Sequence, residues 1–220
     1  MSTSLINDWG EWLPRLWDGL LVSLQVTGLS LVLGFVIGLG FALLSSAGSG
    51  LVRWPAILLV EIGRGMPALV MLQLVYFGLP GVGITFDAFP ATVVALTLTT
   101  AAYTSEIIRA GLRAVPAGEL EAADALGLSH VDAMRFVVIP QGLRIALPTL
   151  MGFAILIFQV SALAYSLGLP ELLGQAYSIG AATFRYLDVL VLAGLLYLAI
   201  TIPASWLVDR LERRLSKHLG

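Results

Sequence analysis

Glu61 and Arg64 stand three residues apart in an otherwise apolar stretch. On a helix that spacing puts them on one face, where they can pair. Charge inside an apolar span is costly and is a functional candidate by default. The same pair could instead neutralise itself and fix helix packing. Few other residues offer chemistry. There is no cysteine, so thiolate nucleophiles, disulfides and thiolate metal sites are excluded. His130 and His218 are far apart in sequence and fall in polar segments, so no metal site is expected. No Gly-x-x-x-x-Gly-Lys-Ser/Thr loop occurs that would cradle a nucleotide phosphate. No acidic pair falls in the middle of an apolar segment, and no nucleophile has an intramembrane base. The reading is therefore recognition without bond-making: no catalytic residue, no enzyme, and no cofactor bound by this chain.

The elements that position these residues are membrane spans. The chain is 58% hydrophobic and 12% charged, with mean hydropathy +0.93. Soluble domains run about 45–50% apolar and about 25% charged. So much apolar surface needs lipid, and no nucleic-acid partner is expected. Among the first 18 residues acids outnumber bases, which argues against a cleaved signal. Windows long enough to cross a bilayer, roughly 20 residues, fall at about 19–44, 54–78, 88–109, 145–165 and 188–209. The fold class is all-α: a single polytopic domain over 1–220 with about five transmembrane helices. Between the last two spans, Pro170 can open a short external or re-entrant helix over about 170–178. Gly34 and Gly38 make a Gly-xxx-Gly pattern, read as close packing within the subunit or as a dimer seam. Of the intramembrane amides, Gln159 is the one assigned to a polar path, from its position in the fourth span.

Basic residues set the orientation. If residues 106–144 are cytoplasmic, that side holds Arg53, Arg109, Arg113, Arg135, Arg144, Arg210, Arg213, Arg214 and Lys217. The other side keeps Arg15 and Arg185. The N-terminus is then outside and the C-terminus inside. The loop over 112–142 encodes two short helices. Glu119 and Glu121 lie in the first turn of one, where carboxylates favour the positive end of the dipole. Gly127 closes it as a left-handed cap. Ser129 and Asp132 form a capping pattern for the second, which Pro140 should stop. Ala122, Ala123 and Ala125 leave room for another protein's backbone, so the loop reads as a docking element or as a solvated connector.

Here the motifs gain a family context. Glu121-Ala122-Ala123, Gly127 and Ile139-Pro140 resemble the coupling loop of ABC importer permeases. Glu61-Ile62-Gly63-Arg64-Gly65-Met66-Pro67 resembles the signature of the polar amino-acid branch, the type I permeases of histidine, glutamate, glutamine and arginine importers. Tyr103, Glu106, Ile107 and Arg109 continue that likeness, as do Pro140-Gln141, Leu147-Pro148 and Gly168-Leu169-Pro170-Glu171-Leu172. The likeness covers about residues 15–215.

It implies a multi-pass permease subunit in a bacterial inner membrane, moving an amino-acid-like substrate. It implies a separate ABC ATPase that binds ATP and Mg and receives Glu121, Ala122, Ala123, Ala125, Gly127 and Pro140 of the coupling loop. It also implies an external solute-binding protein and a second permease, with membrane lipid around them. Thr99, Thr100, Tyr103, Gln159 and Ser161 fall on the implied substrate path. Gln159 and Val160 stand where the family carries charged residues, which favours a heterodimer whose other permease supplies the charge. A secondary transporter or channel subunit is the alternative, although no internal repeat is evident. Orientation generates the first prediction. Ser216→Cys should resist an impermeant thiol reagent in intact cells while Ser4→Cys is labelled, and the reverse pattern would invert the topology.

Overall fold

The computed structural model describes residues 2–216, with side chains over 8–215. Lys217 and His218 lie outside the described residues. The helices are α1 (Ser2–Ser45), α2 (Gly50–Gly65), α3 (Ala68–Val82), α4 (Ala88–Arg113), α5 (Ala117–Ala125), α6 (His130–Leu167), α7 (Leu172–Thr183) and α8 (Tyr186–Ser216). Among the described residues four are long and apolar enough to cross a membrane, and α2 with α3, bent by 104° at their break, counts as a fifth when the pair is taken as one span.

Several expected boundaries change. The first span is only the charge-free part of α1, whose helix starts well before residue 19. Trp12, Leu16 and Leu20 recur every four residues and pack with Leu172, Ala176 and Ile179 of α7 and Val189 and Leu192 of α8. This tertiary burial carries the helix through Pro14 and the charged first turns. The second span is two helices, not one over 54–78. The fourth begins at His130, because Pro140 does not stop its helix. A π-turn over Met134–Val138 comes just before it. The turn's wider hydrogen bond, Ile139 N–H to Met134 O, accommodates a residue that has no N–H and whose ring would crowd a normal turn. The helix ends at Leu167, where Gly168 takes φ +78°.

α4 is the central helix and packs on α1, α2, α3 and α6. Its most extensive partner is α1. A Cβ built on Gly34 would lie 2.5 Å from the Thr100 side chain, and one on Gly38 would meet Thr104. The Gly-xxx-Gly pattern is therefore an intrachain seam.

α7 is expected at Pro170 but starts at Leu172, with Glu171 as its N-cap. Its carboxylate accepts from the N–H groups of Leu173 (2.9 Å) and Gly174 (2.7 Å). The Ser23 hydroxyl of α1 (3.3 Å) and the Tyr197 hydroxyl of α8 (3.2 Å) donate to the same group. Ser23 also accepts from Leu172 N–H at 3.2 Å. One buried carboxyl thus joins three helices at the end of the bundle opposite α5. Burial lifts its pKa from the ordinary 4.5 to about 7, outweighing the four donors that pull it down. The folded state then holds this proton more tightly than the unfolded chain. Its stabilising contribution is complete below about pH 4.5 and is lost as pH rises through about 7. Melting temperature should fall across that window, and Glu171→Gln, which keeps an acceptor but does not titrate, should flatten the slope. A slope unchanged in the variant would assign it to another group.

Candidate functional site

The break between α2 and α3 builds the site. Met66 (φ −88°, ψ 126°) and Pro67 (φ −58°, ψ 138°) are extended. Proline has no N–H and pushes the residue before it out of the helical region, so the helix stops there. Carbonyls released inside lipid need a donor from the protein. Tyr103 of α4 supplies one, its hydroxyl donating to Arg64 O at 3.1 Å. The Tyr103 ring stacks on Phe153 of α6, with centroids 5.3 Å apart. α2, α4 and α6 therefore meet around a cleft of about 380 Å³. It is lined by Arg64, Met66, Pro67, Thr99, Tyr103, Phe153, Leu156 and Val160 among others.

Four charges of alternating sign run beside the cleft. Arg64 lies 3.2 Å from Glu61 and 3.7 Å from Glu106, and Glu106 lies 2.6 Å from Arg109. The Glu61–Arg64 pair is as spaced, but it is not isolated: it continues into α4. Glu61 and Arg64 are both substantially exposed, so this contact by itself contributes only about 0–1 kcal/mol. Arg64 itself sits in the last turn of α2, where a cation suits the negative end of the dipole, beside the break.

The expected path residues divide. Tyr103 lines the cleft, and so does Thr99. Thr100 does not: it is fully buried against Gly34 of α1. Ser161 is also buried, donating to Phe158 O at 2.7 Å. Gln159 is exposed but is not part of the cleft wall. Arg64, Met66, Pro67 and Phe153 join the wall unpredicted as path residues. The Gly65-x-Pro67 step is the signal that could have revealed them.

At the α5 end, Gly127 has φ +76° and Leu128 N–H donates to Ala123 O at 3.1 Å. Ser129 Oγ accepts from Asp132 N–H at 3.2 Å. Both caps have the geometry their residues suggest. Ala123 is the buried residue of α5, while Glu121, Ala122, Ala125 and Gly127 are exposed. Gln141 donates to Glu119 at 2.8 Å and ties α5 to α6. Pro140 is exposed within α6. Three large apolar side chains also stand open here: Leu126 (82% exposed), Val131 and Phe136.

Residues 21–217 match the family model of the binding-protein-dependent transport system inner membrane component. The chain belongs to this family. It is 37% identical over 209 residues to YckA of Bacillus subtilis, a probable amino-acid ABC transporter permease protein, covering 95% of this chain and 92% of that one. It is 35% identical to ArtQ, the arginine transport system permease protein of the same organism, covering 94% of each. The crystal structure of an amino acid ABC transporter with histidines superposes with a TM-score of 0.91 at 36% identity, over 97% of this chain and all of that one. This member is an all-α, multi-pass permease subunit of an ATP-driven importer in a bacterial inner membrane, with the type I importer permease fold. The alternative of a secondary transporter or channel subunit is not favoured.

Tyr103 makes the geometry testable. Tyr103→Phe keeps the stack on Phe153 but leaves the Arg64 carbonyl without its donor. The expected cost is about 0.5–1.5 kcal/mol, the net worth of a hydrogen bond open to solvent, seen as a lower melting temperature of the purified protein. An unchanged melting temperature would mean that the carbonyl finds another donor.

Proposed function

We propose that this permease imports polar amino acids or closely related small solutes through the cleft at the α2–α3 break. The observation that carries the reading is the composition of that cleft. Phe153, Leu156 and Val160 give it an apolar wall, while Arg64, Thr99 and Tyr103 edge it with polar groups. A zwitterion taken out of water needs a cationic donor for its carboxylate and acceptors for its ammonium. The Arg64 guanidinium offers the first, and Glu61 and Glu106 beside it carry the complementary charge. The amino-acid and arginine transport named for the two relatives supports the same substrate class.

Energy comes from a separate ABC ATPase, which binds ATP and Mg and docks on α5. The exposed Leu126, Val131 and Phe136 support this, because apolar clusters at a polar end mark interaction surfaces. The α5 end is cytoplasmic and the α7 end faces an external solute-binding protein. The second permease is a different chain, which supplies charged contacts where this one has Gln159 and Val160. Gln159 is then a secondary contact.

The test is uptake of a radiolabelled polar amino acid by proteoliposomes holding the transporter purified through this chain. Uptake should require ATP on the α5 side and the binding protein on the other. Leu126→Asp should release the ATPase and cut uptake by about tenfold or more, as for a buried interface anchor. Gln159→Ala should cost less than about threefold, under 1 kcal/mol. Uptake driven by an ion gradient without ATP would overturn the reading. A purified transporter holding two copies of this chain and no other permease would overturn the heterodimer.

A further inference from the structure

A second cavity, of about 480 Å³, opens at the α5 end of the bundle. Its walls include Ser45 and Ser46 at the end of α1, Arg53 and Trp54 in α2, and Arg109 and Arg113 in the last turns of α4. Three guanidinium groups border it, and Glu106, paired to Arg109, is the acid that offsets them. Arg53 and Arg113 make no ion pair among the described residues. Three cations against one anion leave a local charge of +2.

Helix stabilisation accounts for Arg113, since a cation suits the negative end of α4. It does not account for Arg53, which sits in the first turn of α2 at the positive end of that dipole. A general excess of bases at one membrane face would not explain two further groups. Ser45 Oγ and Arg109 Nε are buried without a hydrogen-bond partner. Ser45 and Arg109 both line the cavity, and both of these atoms carry a proton to donate. Buried donors are paired in the great majority of proteins. What would satisfy them, and offset the charge, is a group with several anionic acceptor oxygens.

The surroundings name the source of that group. Leu51 (91% exposed) and Leu58 (61%) flank Trp54, which is itself largely exposed. Arg53 lies over the indole, 5.6 Å from its centroid. An indole beside bases and open aliphatic side chains is the pattern of a membrane–water interface. Acyl chains can lie along this ridge while a headgroup enters the cavity. A zwitterionic lipid would bring its own ammonium into a site already positive.

We infer that this cavity binds the phosphate of an anionic phospholipid, held by Arg53, Arg109 and Arg113 and completed by the Ser45 hydroxyl. Basic pockets between spans are suited to such headgroups. The inference requires membrane insertion but not the identity of the imported solute, so it can fail or stand apart from the substrate reading.

The test is native mass spectrometry of the intact transporter exchanged into phosphatidylglycerol or phosphatidylcholine. Phosphatidylglycerol should remain bound through delipidation and phosphatidylcholine should not. The Arg53→Gln/Arg113→Gln pair should weaken retention at least about tenfold, given the attraction expected per cation. Arg144→Gln, at an exposed base outside the cavity, should leave it intact. Ser45→Ala should weaken retention and, in the lipid-free protein, raise the melting temperature by removing an unpaired buried donor. Equal retention by wild type and the double variant would overturn the inference, as would equal loss from Arg144→Gln. Displacement of the lipid by excess inorganic phosphate would mean a soluble-anion site instead. Loss of the ATPase from the double variant with lipid retention unchanged would assign these arginines to a protein contact.

Discussion

A chain that interrupts a helix within lipid must itself satisfy the backbone groups it releases. That constraint organises this protein. Met66 and Pro67 open the α2–α3 break, and the freed Arg64 carbonyl has to find a donor. Tyr103 can reach it only if α4 lies close against α2. Gly63 permits that approach, because a Cβ there would come within 2.7 Å of the Ala102 methyl. The stack of Tyr103 on Phe153 joins α6 to the same point. The cleft is what these distances leave between three helices. Its polar edge follows from the same constraint, since irregular backbone at membrane depth is tolerated where it is buried in protein or lines a cavity.

Holding α4 at the centre is a packing problem of its own. Lipid tails are as apolar as leucine, so helices in a membrane gain little from burying apolar surface against one another. Close contact and interhelical hydrogen bonds do that work. The α1–α4 seam sets Gly34 and Gly38 against Thr100 and Thr104. Thr104 donates within α4 to Thr100 O at 2.7 Å and lies 3.3 Å from Gly34 O across the seam. Thr100 thus serves the seam, and its neighbour Thr99 serves the cleft. One residue step on a helix turns a side chain by about 100°, which is enough to move it from one role to the other.

That step explains part of what the amino-acid sequence conceals. Long apolar windows reveal five crossings, because bilayer thickness demands a minimum length. The caps at Gly127 and Ser129 are local and can be read from neighbouring residues. Which face of α4 meets which partner depends on helices far away in the chain. The link from Arg64 to Glu106 joins residues with no sequence relation, and so does the convergence of Ser23 and Tyr197 on Glu171. Pro140 and Pro67 are both prolines in apolar surroundings, yet only the second breaks its helix. A preceding π-turn absorbs Pro140, while Gly65 just before Pro67 gives a helix already weak at that point. Composition around each proline hints at the difference without deciding it.

The charge ladder connects the two cavities: Arg64 borders the cleft and Arg109 borders the anionic-lipid pocket. Its links are unequal. The pairs within a helix, Glu61–Arg64 at 3.2 Å and Glu106–Arg109 at 2.6 Å, are shorter than the link between helices, Arg64–Glu106 at 3.7 Å. Separating α2 from α4 would lose the longest contact first. Each helix would still carry a neutral pair, so no bare charge would be left in a low-dielectric setting, where an unpaired ion is most costly. The Tyr103 hydroxyl and the Gly63–Ala102 contact also tie the two helices together. Charges paired within each helix therefore leave α2 and α4 each neutralised on its own, whatever the distance between them.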